Sequence, residues 1–265
     1  MKKSLMKRPL EVLALGAILV HGIPLSFTGC TPSKKPRVKL ERVVSKQEIF
    51  DFNEVERNCI RTGLNLVKKQ GYDLPDIVFI RKKARRPPFV PGTQENNGEY
   101  HGLCKNNKSA LPGYFNYEKF GNYHLIFIKG MYDHERDSSE DWDSKFPHPM
   151  TSTTIHELGH IYYGYLTEKD KQEITDFFTR IDLSLVENVQ GLHPGHASNY
   201  SYNKYLIRPG MTQEEREKAA EEQAVEFFVR KISDLENQDL KAFAKYKLVS
   251  EKMQRFKRPR LFIRK

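Results

Sequence analysis

The segment TTIHELGHIYYGYL, residues 153–166, holds the residue types best suited to chemistry. His156 and His160 are four apart, with Glu157 beside the first. On a helix, positions i and i+4 share a face, with Cβ atoms about 5–6 Å apart. Two imidazoles so placed can hold one ion, and Zn2+ accepts neutral imidazole nitrogen and leaves a coordination position open for catalysis. Such an ion makes water acidic near neutral pH, and a carboxylate next to the first ligand can take the proton. Ile155, Leu158, Ile161 and Tyr162 recur at helical spacing, so the segment predicts a helix, capped by Thr151 or Ser152.

Two histidines need a third ligand. A wheel at 100° per residue over EEREKAAEEQAVEFFVRKI places Ala224, Val225, Phe228 and Ile232 in one apolar stripe, with Glu221 at its centre. A carboxylate amid apolar residues demands compensation, and a metal supplies it. Glu221 is therefore the expected third ligand, with Glu222, about 100° away, as the alternative. The loop GLHPGHASNYSYNKY, residues 191–205, offers His193 and His196 as donors to an oxyanion. His148 precedes Pro149 and reads as a turn residue.

HELGH followed by EEQAVEFF resembles the gluzincin metallopeptidases, whose domain is zincin-like. Their second motif often reads E-x-x-A-(D/N)-x-F, which Glu221, Ala224 and Phe227 match, with Val225 at the Asp/Asn position. A carboxylate or carbonyl from elsewhere would then have to orient the ligand histidine. ASNYSYN is similar to the S-x-Y segment of anthrax-lethal-factor-like peptidases. By that resemblance Tyr200 stabilises the oxyanion, and that family's Glu-Phe-Phe triplet would select Glu226 as the ligand. The metzincin pattern is absent: Tyr163 and Leu166 stand where it needs glycine and a third histidine. The implied fold is α+β and zincin-like: a small mixed sheet, the His-Glu helix and a later glutamate-bearing helix. The implied activity is hydrolysis of peptide bonds in a peptide or protein substrate, with Glu157 as general base. The alternatives are a non-catalytic zinc-binding lipoprotein serving as a binding or structural module, and an amidase acting on cell-wall amides.

The elements that must position these residues follow from periodicity. Residues 47–70 read as an amphipathic helix closed by Gly71. DIVFIRK, residues 76–82, and YHLIFIKG, residues 123–130, read as strands, the latter as a candidate edge strand for extended substrate. A shorter strand is expected around residues 114–117. RRPPFVPGTQENNGEY, residues 85–100, reads as loop. The acidic loop 133–143 lacks EF-hand spacing and reads as solvated. Helices are expected over about 168–185 and from Thr212 onward.

Lys2, Lys3, Lys7 and Arg8 precede a stretch, residues 12–27, without Asp, Glu, Lys or Arg, which ends at Cys30. Thr28-Gly29-Cys30 resembles the lipobox of bacterial lipoproteins, with Phe27 where leucine is usual. The reading is a signal peptide over 1–29, lipidation at Cys30, a tether over 30–46, the catalytic domain over 47–240 and a basic tail over 241–265. It places the chain outside the cytoplasm, lipid-anchored to a bacterial membrane. Export would permit a disulfide between Cys59 and Cys104. The net charge of +10 resides mainly in the tail, with ten Lys/Arg against one Glu. That tail suits anionic headgroups. Nucleic acid is not an expected partner, because no binding module is visible.

Overall fold

The protein is described from a computed structural model. It covers residues 46–82, 97–107, 109, 111, 115–131, 146, 148–186, 195–234 and 240–257. Residues 1–45, with the expected signal, Cys30 and the expected tether, lie outside the described residues, as do the acidic loop 133–143 and His193. Among those described, no helix is long and apolar enough to cross a membrane.

The chain is α+β. In order come β1 (Gln47–Phe50), α1 (Glu54–Lys69), β2 (Ile77–Lys82), β3 (Gly98–Leu103), α2 (Tyr117–Phe120), β4 (His124–Lys129), α3 (Pro149–Gly164), α4 (Glu168–Val186), α5 (Asn199–Tyr205), α6 (Gln213–Ile232) and α7 (Leu240–Met253). The four strands form one mixed sheet in the order β1-β2-β4-β3. β1, β2 and β4 are parallel, and β3 runs antiparallel to β4.

β2 and β4 are nearly continuous apolar runs because both faces of the sheet are covered. Ile77, Phe79, Ile126 and Ile128 face the main core, which also takes apolar side chains of α1, α3, α6 and α7. Val78, Ile80 and Leu125 face a smaller cluster with Phe115, Phe120 and Cys104. Cys59 belongs to the main core and Cys104 to the other, and both are free thiols. The expected disulfide is thus corrected: the sheet lies between its two halves.

Several boundaries differ from expectation. The amphipathic segment starts as strand β1. Asp51 then takes φ 64, and Asn53 caps α1 in a reciprocal pair with Glu56. Part of the supposed loop, from Gly98 onward, is strand β3, and residues 117–120 form a helical turn rather than strand. His148, not Thr151 or Ser152, caps α3: its Nδ1 accepts from Met150 N at 3.0 Å, with Pro149 in the first turn. The interior of the sheet holds β4, so the edge beside α3 is β3.

Residues 240–257 are not a loose tail. α7 packs on α6 and α4, burying Ala242, Val249 and Met253. Lys245, fully buried, donates to Asp182 and to Gln223 Oε1. The chain beyond α7 returns to Tyr72 through a bridge at Lys257.

Candidate metal centre

α3 and α6 build the site between them. Their close crossing depends on Gly159, where an added Cβ would meet Val225 Cγ1 at 2.9 Å. α6 begins sharply, because Thr212 and Glu215 form a capping box. That start fixes which glutamates face α3.

The two Nε2 atoms of His156 and His160 are 3.2 Å apart. Glu222 Oε2 lies 3.5 Å from the first and 3.8 Å from the second. All three ligand atoms fall within 4.8 Å of one another. The outer nitrogens are also held. Glu226 Oε1 is 2.7 Å from His156 Nδ1, and Glu221 Oε1 is 2.8 Å from His160 Nδ1. A carboxylate only accepts, so each Nδ1 carries a proton; with a metal ion in place of the second proton, each Nε2 would present its lone pair. This is the arrangement a metal-ligating histidine requires. Two imidazole nitrogens and one carboxylate oxygen are a zinc-type donor set, and the residues fit that ion.

The structure brings Glu222, the alternative ligand, rather than Glu221 against both Nε2 atoms. Glu221 orients His160 from outside and keeps 37% of its side chain exposed, whereas Glu222 is 15% exposed and faces both Nε2 atoms. The wheel failed because α6 is buried nearly all round from Gln223 onward, so a stripe has no meaningful centre there. The role of Glu226 was also missed. Its signal was available: Glu222 and Glu226 are four apart on α6, as the histidines are on α3.

Glu226 is itself held by Ser198, whose hydroxyl donates to Oε2 at 3.0 Å. Ser198 also caps α5, accepting from Ser201 N at 2.8 Å. The segment around α5 is tied to α6 at further points, by Arg230 on Ala197 O and Gln223 on Tyr205 O. Tyr200 lies on α5, with its side chain outside the described residues. His196, the other candidate donor of this loop, has both ring nitrogens beside partners within the fold. It is buried, with Nδ1 3.0 Å from Ser201 Oγ and Nε2 3.3 Å from Asp182 Oδ1.

Glu157 is 4% exposed and lies between α3 and the first residue of β3. Burial raises its pKa, and the neighbouring imidazoles only partly offset this. Burial pulls both histidines down. Hydrogen bonds that His156 donates to Glu222 and Glu226, and that His160 donates to Glu221, override it and raise both. Four glutamates thus converge on two imidazoles, a balance that calls for a cation.

A pH prediction follows for the metal-free protein. Folded-state pKa values raised above the unfolded ones make folding take up protons. The histidine contribution to stability is full below about pH 6.5 and is lost as pH rises through the raised values. Glu157, a carboxylate also raised, acts in the same direction from lower pH. Metal binding needs the deprotonated ligands, so affinity rises with pH. Chelator-treated protein should therefore lose thermal stability as pH rises above about 6.5, while zinc-loaded protein should not. Melting curves across that range check it; parallel curves would mean that the imidazoles do not carry the coupling.

Compared with known proteins, the chain matches no family model, no curated protein and no solved structure.

Proposed function

We propose that this chain is a zinc-dependent metallopeptidase of gluzincin type on a zincin-like domain, exported and lipid-anchored through Cys30. The observation that carries the proposal is the convergence of His156 Nε2, His160 Nε2 and Glu222 Oε2 next to the buried Glu157. In the Glu222 register Phe228 takes the family's Phe position and Val225 stands at its Ala position. Four residues after Glu222 stands Glu226, so the position where the family carries Asp or Asn holds a carboxylate after all, and it contacts the first ligand histidine.

His156, His160 and Glu222 would hold the ion, with Glu226 and Glu221 fixing the two rings. Zn2+ there supplies Lewis acidity, polarising an amide carbonyl and making water acidic near neutral pH. Glu157 takes the proton of the attacking water and passes it to the leaving amine. The outer edge of β3 offers backbone N–H and C=O groups to an extended peptide. Tyr200 on α5 is the oxyanion donor of this reading. The basic residues beyond α7 would add attraction to anionic lipid.

The test uses residues 31–265, zinc counted per chain, and a mixed peptide library scored by mass spectrometry. Glu157→Gln should keep one zinc and lose about 10²–10⁴-fold in hydrolysis, the usual contribution of a general base. Equal hydrolysis by both proteins would remove catalysis from the reading and leave a zinc-binding module.

A further inference from the structure

The Glu157 carboxylate lies in a slot that one missing side chain provides. An added Cβ on Gly98 would stand 2.5 Å from Glu157 Oε1, 2.9 Å from Glu157 Cγ and 2.6 Å from Thr153 Cγ2. Real Cβ contacts are not that short, so something would have to shift. Both walls of the slot are fixed. β3 is pinned to β4 by the pairing of Gly98 with Ile128 and by Lys129 N donating to Asn97 O at 2.9 Å. α3 is backed by α6 at Gly159, with Val225 Cγ1 and Phe228 Cδ1 close behind. The side chains of Glu157 and Thr153 are the parts that can yield, and Glu157 makes the shortest contact.

Backbone conformation does not explain the glycine. The described glycines with positive φ are Gly71, Gly102, Gly195 and Gly210. Gly98 sits in ordinary strand geometry, where any residue fits the chain and glycine weakens the strand. Space is what glycine provides there, and Glu157 fills it.

We infer that Gly98 is a positioning residue, which sets where the Glu157 carboxylate stands beside the metal triad and so the geometry of proton transfer. The inference rests on the peptidase reading above. Misplacing a reacting group by about 1 Å can cost roughly 100-fold in rate. Gly98→Ala should therefore keep one zinc per chain, change KM by less than about threefold and lower kcat by about 100-fold.

A double-mutant cycle separates this from simple packing. Glu157→Asp shortens the side chain by one methylene and vacates the space a methyl group would need. Alone it should lower kcat. In the Gly98→Ala background it should cost at most about threefold more, because both changes disturb one geometry. Losses that multiply independently would overturn the inference. So would Thr153→Ser restoring kcat in that background, since Thr153 would then be the obstructed group. If Gly98→Ala refolds too poorly to assay, refolding yield gives the answer. Rescue by Glu157→Asp and not by Thr153→Ser supports the slot, and any other pattern overturns it. No hydrolysis by zinc-loaded wild type would overturn the peptidase reading first, and this inference with it.

Discussion

Glu222→Ala is expected to abolish zinc binding at the proposed site, whereas Glu221→Ala should keep it. The two glutamates are neighbours in sequence with equal charge, so net electrostatics does not separate them. Geometry does. Glu222 Oε2 faces both Nε2 atoms, while Glu221 reaches only the outer nitrogen of His160. Removing Glu222 leaves two imidazoles, which hold zinc weakly. Removing Glu221 or Glu226 removes an orienting partner, which typically costs 10–100-fold in affinity, or about 1.4–2.7 kcal/mol. Glu226 is 5% exposed and Glu221 37%, so the loss should be greater for Glu226. Competition against a chelator of known affinity gives the three values. Zinc lost in Glu221→Ala and kept in Glu222→Ala would restore the assignment read from the helical wheel.

Lys245→Ala should destabilise the fold by about 3–5 kcal/mol, the usual penalty for breaking a buried ion pair. Lys245 and Asp182 are both fully buried. Without the lysine, Asp182 would keep His196, Gln223 Nε2 at 2.8 Å and Ile207 N at 3.0 Å, but no permanent cation. Burial pushes the Asp182 carboxyl up, and His196 and Lys245 overcome that, bringing it to about 2. A depressed carboxylate contributes stability that is present above its unfolded value of about 3.9 and is lost as pH falls through the folded one. The variant should therefore also unfold at a higher pH on acidification. Urea unfolding of Lys245→Ala beside the same change at Lys247 checks the size, since a surface lysine should stay within about 0.5 kcal/mol. A loss under 1 kcal/mol at Lys245 would mean that α7 is not part of the folded body.

These two cases mark what could and could not be read from the sequence. β2 and β4 were legible as apolar runs, and α3 by its spacing. α6 was legible because Thr212 and Glu215 announce its start. His156 and His160 share one helix face, with Glu157 about 100° round from the first, so local geometry sufficed. Glu222 did not follow, because its helix is enclosed by α3, α4, α5 and α7 and the wheel assumes one apolar side. β3 was hidden because GEYHGL has no apolar alternation; its pairing comes from the backbone of β4. Lys245 resembles any solvated lysine until Asp182, 63 residues earlier, is placed beside it.

The two thiols have a consequence for how the chain reaches this state. Cys59 packs into the core on one side of the sheet and Cys104 on the other. In the native protein neither meets an oxidant or the other. In the unfolded chain, nothing keeps them apart. A bridge formed then would tie α1 to the end of β3 before the sheet is laid between them, and folding could not proceed past it. In an oxidising compartment that bond is a kinetic trap, and its presence in a preparation would be a covalent record of molecules that failed to fold.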